Sequence, residues 1–241
     1  MPYSQPQPNV DAAELAKFES LAHRWWDRDG EFKPLHDIND VRLQFITDRA
    51  KVSEQDVIEV GCGGGILAES LARAGARIVG IDPARGPLTV AQIHAKENDL
   101  LEYPKYELAT AETYVDEHAA SFDVVAALEM LEHVPDFRIT VASLAELGKP
   151  GAHMFFSTIN RHPKAFALMV VAGEYVLNVL PKGTHDYAKF IKPSELARAA
   201  RDAGLTVKTI QGYRYNPFTR YCTLCDSVDV NYLMHAQKPI A

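Results

Sequence analysis

Asp56-Val57-Ile58-Glu59-Val60-Gly61-Cys62-Gly63-Gly64-Gly65-Ile66 decides the fold. Asp56 to Val60 is a short apolar run of strand length, and Ile66 to Ala74 has helical spacing and ends at Gly75, so the glycines fall between a strand and its helix. Glycine suits that place because the chain must turn tightly and let a ligand approach the backbone with no Cβ in the way. Asp82 follows Gly61 by 21 residues, at the end of a second predicted strand, Arg77 to Ile81. That spacing lets one carboxylate reach a ribose held over the turn. A glycine turn followed by an acid marks a nucleoside site.

The alternation continues outward. Helices are expected over Pro87 to Asn98, Ala111 to Ala119, Val134 to Leu147 and Pro193 to Ala203. Strands are expected over Tyr106 to Ala109, Phe122 to Leu128, Ala152 to Ser157, Leu205 to Tyr213 and Val228 to His235. Strands alternating with helices predict an α/β, doubly wound, mostly parallel sheet of seven strands, with the last two forming an antiparallel edge. Upstream, Asp11 caps a predicted helix over Ala12 to Trp26, with Glu14 placed for a capping box. Asn39 or Asp40 caps a second helix, through Ala50, after a loop over Asp27 to Asp37.

With 241 residues, the sequence supports one domain over 11–241, after a disordered tail over 1–10 and with an insertion at about 164–192. Its 25 Lys and Arg against 32 Asp and Glu give a net charge of −7, which argues against a nucleic-acid partner. Three cysteines rule out a disulfide framework, and the Pro- and Gln-rich start lacks the parts of a signal peptide, so a cytoplasmic setting is expected. Cys222 and Cys225 make half of a zinc site with no second half at the usual spacing.

The dinucleotide fingerprint wants a third glycine where Ile66 stands, which disfavours a nicotinamide oxidoreductase. Glu59, two residues before the loop, instead matches the E/D-x-G-x-G-x-G pattern of class I methyltransferases that use S-adenosyl-L-methionine, with Gly61, Gly63 and Asp82 as cofactor-binding residues. After the strand Phe122 to Leu128 comes Glu129-Met130-Leu131-Glu132-His133. Were this segment helical, Glu129, Glu132 and His133 would share a face beside the cofactor. Two chemistries are open to them: His133 as general base, or all three as ligands of a divalent cation.

The resemblance widens beyond the loop. Arg24-Trp25-Trp26-Asp27, Gly30 to His36, Glu129 to Val134, Lys182-Gly183-Thr184-His185-Asp186, Lys189 to Pro193 and Val228 to Tyr232 are similar to the S-adenosylmethionine-dependent O-methyltransferases of ubiquinone biosynthesis, from Ala16 to Gln237. That resemblance implies methylation of ring hydroxyls on polyprenylated phenols and catechols, early and late in the pathway, and other enzymes of that pathway as partners. It carries cofactor contacts onto Arg42, Gly61, Asp82 and Leu128; without it, Arg42 reads as an exposed helical arginine. The eukaryotic branch implies Mg2+ at the E-x-x-E-H segment. Departures lie at Leu128, Gly148, Ala152 and Tyr221 to Ser227. Alternatives remain a methyltransferase of another small phenol and a non-catalytic cofactor-binding protein. Finally, Ala165 to Leu180 reads as a helix with a wide apolar surface, flanked by Lys164 and Lys182. It either docks on membrane lipid at the inner face and receives the substrate, or packs on the sheet as a lid.

Overall fold

The computed structural model describes residues 9–168 and 187–240. Strands β1 (Asp56–Val60), β2 (Arg77–Asp82), β3 (Lys105–Leu108), β4 (Phe122–Leu128) and β5 (Gly148–Ile159) run parallel. They are followed along the chain by β6 (Thr206–Asn216), β7 (Tyr221–Cys225) and β8 (Asn231–Gln237). The spatial order is β3-β2-β1-β4-β5-β8-β6-β7, with β8 antiparallel to β5 and β6, and β7 antiparallel to β6. Among the described residues the sheet therefore has eight strands rather than seven. The additional one, β7, uses Tyr221-Cys222-Thr223-Leu224-Cys225, a stretch with β-forming residues whose exposed edge position left it without the apolar run that marks central strands.

Successive residues of the central strands face opposite sides, as the two-residue period of a strand requires. Val57, Val124 and Phe155 pack with Phe45, Leu67 and Leu71 on one face; Ile58, Val125 and Phe156 pack with Val141, Leu144 and Leu196 on the other. The first layer is α3 (Asn39–Thr47) with α4 (Ile66–Arg73), and α5 (Arg85–Glu97) lies beyond β2 and β3. The second layer is α6 (Ala111–His118), α7 (Phe137–Leu147) and α9 (Pro193–Asp202). Burial on both faces explains why these strands read as continuous apolar runs. Strand order reverses between β1 and β4, and the crevice at the carboxyl ends of such neighbours is where ligands bind in open α/β sheets.

Several boundaries differ from expectation for local reasons. The first helix, α1, covers only Ala12–Leu21 before a tighter turn over Ala22–Arg24, and a short helix, α2 (Lys33–Asp37), with Pro34 in its first turn, replaces the expected loop. Asp11 does cap α1, accepting from Ala13 N–H at 2.9 Å, but Glu14 turns its carboxylate elsewhere. Asn39 is the first residue of α3 and not its cap: its side chain donates to Ser70 Oγ at 2.8 Å and accepts from Arg42 at 3.1 Å. α7 starts three residues late because Asp136 caps it. Asn9, placed in the expected disordered tail, is docked: it donates to Asp136 O and Thr140 Oγ1, both at 2.9 Å. A short turn of helix, α8 (Pro163–Ala165), opens the expected apolar insertion; beyond Leu168, the reading of residues 165–180 as one helix lies outside the described residues.

Candidate active site

A cavity of about 600 Å³ opens over the carboxyl ends of β1, β2 and β4. Its floor is the glycine turn. Gly61, Gly63 and Gly65 all have positive φ, +72°, +52° and +83°, a backbone region that costs residues bearing a Cβ about 1–2 kcal/mol. The space that a Cβ would need is also taken. At Gly63 and Gly64 it would lie 2.1 and 2.3 Å from the Trp25 ring, and at Gly65 it would lie 2.1 Å from the Tyr106 hydroxyl. Two of these glycines thus admit an aromatic lid from the N-terminal segment, a reason the turn motif alone does not disclose. Trp25 stacks on Phe32, and Trp26 donates to Gly64 O at 2.9 Å while stacking on His94.

Asp82 ends β2 beneath this turn. Its Oδ2 accepts from Gly63 N–H at 2.9 Å and its Oδ1 from Ala84 N–H at 2.8 Å. A carboxylate has about four lone-pair sites, so each oxygen retains accepting capacity toward the cavity that it lines. Burial pushes Asp82 up to about 6, against the pull of its two backbone donors.

The far wall holds a buried pair whose juxtaposition composition and spacing do not show: Glu59 is marked by the loop pattern and Arg42 only by the resemblance. Glu59 and Arg42 are each 4% exposed, and Glu59 Oε2 and Arg42 Nε are buried with no hydrogen-bond partner in the protein. Arg42 is thus not the exposed helical arginine that its local sequence suggests; its Nη2 donates to both Leu35 O and Asn39 Oδ1, each at 3.1 Å. Burial pushes Glu59 up to about 8, although the Arg42 charge pulls it down. Orphaned buried polar atoms are costly, and a ligand bearing both an ammonium and a carboxylate would satisfy the two together. The methionyl end of S-adenosylmethionine is such a zwitterion, and its ribose hydroxyls match Asp82. The residues present therefore fit that cofactor.

They do not fit a metal ion in the way the sequence suggested. Glu129 has φ +55°, and only Leu131–His133 forms a tight helical turn, so the expected common helix face does not exist. Each side chain is committed separately. Glu129 Oε1 accepts from Ser157 Oγ at 2.6 Å and from Tyr213 OH at 2.9 Å, buried Glu132 accepts from Thr158 Oγ1 at 2.8 Å, and His133 Nδ1 lies 3.1 Å from Glu14 Oε2. Among the described residues, no group of three or more His, Cys, Asp or Glu side chains is arranged to hold a metal. Burial, helped by the neighbouring Glu129 charge, pushes Glu132 up to about 7. Glu14 is held down at about 2, first by its hydrogen bond with His133. Leu128 ends β4 on the cavity wall, and Cys222 and Cys225 lie on the edge strand β7 as free thiols.

Comparison with known proteins agrees with this geometry. A family model described as a methyltransferase domain matches residues 33–210. The magnesium protoporphyrin IX methyltransferase of Synechocystis PCC 6803, solved with bound SAH, superposes with a TM-score of 0.65 over 93% of this chain and 99% of that one; at 17% identity it speaks for the fold alone. The ubiquinone biosynthesis O-methyltransferase of Hahella chejuensis is 54% identical over 98% of both chains, and that of Saccharophagus degradans is 55% identical over 95% of this chain and 97% of its own. With identity above one half across nearly the full length of each, this protein belongs to the ubiquinone biosynthesis O-methyltransferase family.

Proposed function

We propose that the protein methylates a phenolic hydroxyl of a polyprenylated ubiquinone precursor, using S-adenosylmethionine as donor and His133 as general base. The observation that carries this reading is the shared cavity: the glycine turn, Asp82, the unpartnered Glu59 and Arg42 atoms, and His133 all line one hollow. The donor, when bound, would supply an activated methyl on its sulfonium: an O–CH3 bond to the phenolate forms as the S–CH3 bond breaks and S-adenosylhomocysteine leaves as a neutral thioether, with no covalent help from the protein. What remains for the protein is positioning and one proton.

Arg42 and Glu59 hold the carboxylate and ammonium of the donor, Asp82 its ribose, and Gly61 with Leu128 the surface against which it lies. His133, across the cavity, takes the phenol proton on its free ring nitrogen, a task suited to imidazole near neutral pH. Glu129 and Glu132 do not reach for a metal in this reading. Through Ser157, Tyr213 and Thr158 they fix the turn that carries His133. The apolar margin of the cavity includes Leu168 and Phe218, which are 49% and 78% exposed, and it gives an oily tail a way out. No helix among the described residues is long and apolar enough to cross a membrane.

The test is incubation with labelled methyl donor and a short-tailed polyprenyl catechol, with product mass as readout. One methyl per hydroxyl is expected, and turnover persists when a chelator is added. Absence of product, or loss of activity on chelation that Mg2+ restores, overturns the reading or its metal-free form respectively.

Glu59 makes a separate prediction. At pH 7 the free protein carries Glu59 protonated, since its value lies at about 8; meeting an ammonium lowers that value and expels the proton. Calorimetric titration with S-adenosylmethionine in buffers of different ionisation enthalpy should show about one proton released near pH 7. The release fades as pH rises past about 8, where Glu59 is already ionised, and vanishes in Glu59→Gln.

A further inference from the structure

The shortest link between the N-terminal helix and the reaction centre is Glu14 Oε2 to His133 Nδ1, 3.1 Å across 119 positions of sequence. We infer that Glu14 is the positioning residue for His133: its carboxylate accepts a hydrogen bond from Nδ1–H and so fixes the neutral imidazole with its lone pair on Nε2. This rests on the reading of His133 as general base.

An ionised carboxylate only accepts, so a hydrogen bond to Nδ1 requires the proton to sit there, and the other ring nitrogen is left basic. The carboxylate itself has no freedom to swing away. Its second oxygen accepts from Lys189 Nζ at 3.2 Å, and Lys189 also reaches Asp11 Oδ2 at 2.9 Å, the residue that caps the same helix. One turn further along α1, Phe18 meets the His133 ring edge-on, with centroids 5.1 Å apart and planes at 86°. The hydrogen bond sets which nitrogen faces inward to α1, and the aromatic contact sets the tilt. A base oriented by a third group is the general arrangement for activating an oxygen nucleophile.

This use also explains why Glu14 abandons the capping box that its spacing from Asp11 offers. The helix keeps its Asp11 cap and releases Glu14 for His133. Lys189 lies near the end of the expected insertion, so its ion pair ties that part of the chain to the residue that orients the base.

The experiment uses the full chain with 15N-labelled histidine. Long-range nitrogen–proton correlation should place the neutral His133 proton on Nδ1; Glu14→Ala should lose that preference, and Glu14→Gln, whose amide oxygen still accepts, should keep it. In turnover, Glu14→Ala should lower kcat by about 10- to 100-fold, part of the roughly 10²–10⁴ that a general base supplies, with donor Kd and substrate KM little changed. Glu14→Gln should recover much of that loss, and Glu14→Ala with His133→Ala should be no slower than His133→Ala alone. A proton on Nε2 in the native protein, or losses that multiply in full in the double variant, overturns the inference. A severe His133→Ala with a silent Glu14→Ala overturns it alone, whereas a silent His133→Ala removes the general-base reading on which it stands.

Discussion

Asp82→Ala should weaken S-adenosylmethionine binding by about two orders of magnitude or more, as read by calorimetric titration. Two ribose hydroxyls donating to a charged acceptor contribute about 1.5–3 kcal/mol each, and every 1.4 kcal/mol is tenfold in affinity. The same carboxylate also fastens Gly63 and Ala84 N–H, so part of the loss is a loosened turn. Asp82→Asn removes the charge and one of the two acceptors while keeping the other, so it loses one backbone hydrogen bond but not both. Its loss should be about 10- to 100-fold, that of one charged bond and short of the Asp82→Ala loss. Unchanged affinity in Asp82→Ala would remove the assignment of the donor site.

Asp82 also sets a pH dependence whose sign can be worked out. Burial raises it to about 6 from an ordinary value of 3.8, so between those values the folded protein binds more protons than the unfolded chain. Stability contributed by the protonated form is present below the ordinary value and is lost as pH climbs through about 6. Donor binding runs the opposite way, because the ionised form is the better acceptor: affinity falls by up to tenfold for each pH unit below about 6. Asp82→Asn should flatten both slopes.

The parts of the site that the sequence made legible are those whose partners lie close in the chain or at a fixed topological distance. The glycine turn needs only its own strand and helix, and Asp82 follows because the parallel crossover from β1 to β2 has a set length. The strands over Val57, Val124 and Phe155 were read as apolar runs without faces; their two-residue period puts Val57 and Ile58, Val124 and Val125, and Phe155 and Phe156 on opposite sides, where both are buried. Arg42 came only through the family resemblance, for the opposite reason: its helix is polar enough to pass for a surface helix, and only the tertiary arrangement buries it beside Glu59. Tyr213, Ser157 and Glu14 act through contacts spanning 84, 28 and 119 residues, for which no local period exists. The common face expected for Glu129, Glu132 and His133 failed at one dihedral, the positive φ of Glu129, which residue type alone does not announce.

His133→Ala should lower kcat by about 10²–10⁴ while leaving donor affinity intact, since in the proposed mechanism the imidazole serves the phenol and not the donor. The competing account is pure positioning: a sulfonium is electrophilic enough that alignment alone could carry transfer, with water removing the proton. The two accounts separate in the pH profile of the variant. A phenol ionises near pH 10 by analogy with tyrosine, so without a protein base the rate should climb about tenfold per pH unit as the substrate deprotonates itself. The native enzyme, with an internal base, should be far flatter across the same range. A variant that keeps native kcat and a native profile at neutral pH would show that the proton needs no help from His133. Glu129→Gln and Glu132→Gln should cost less than His133→Ala, because each amide retains an oxygen that can still accept from Tyr213 and Ser157 or from Thr158, the contacts that hold the His133 turn in place.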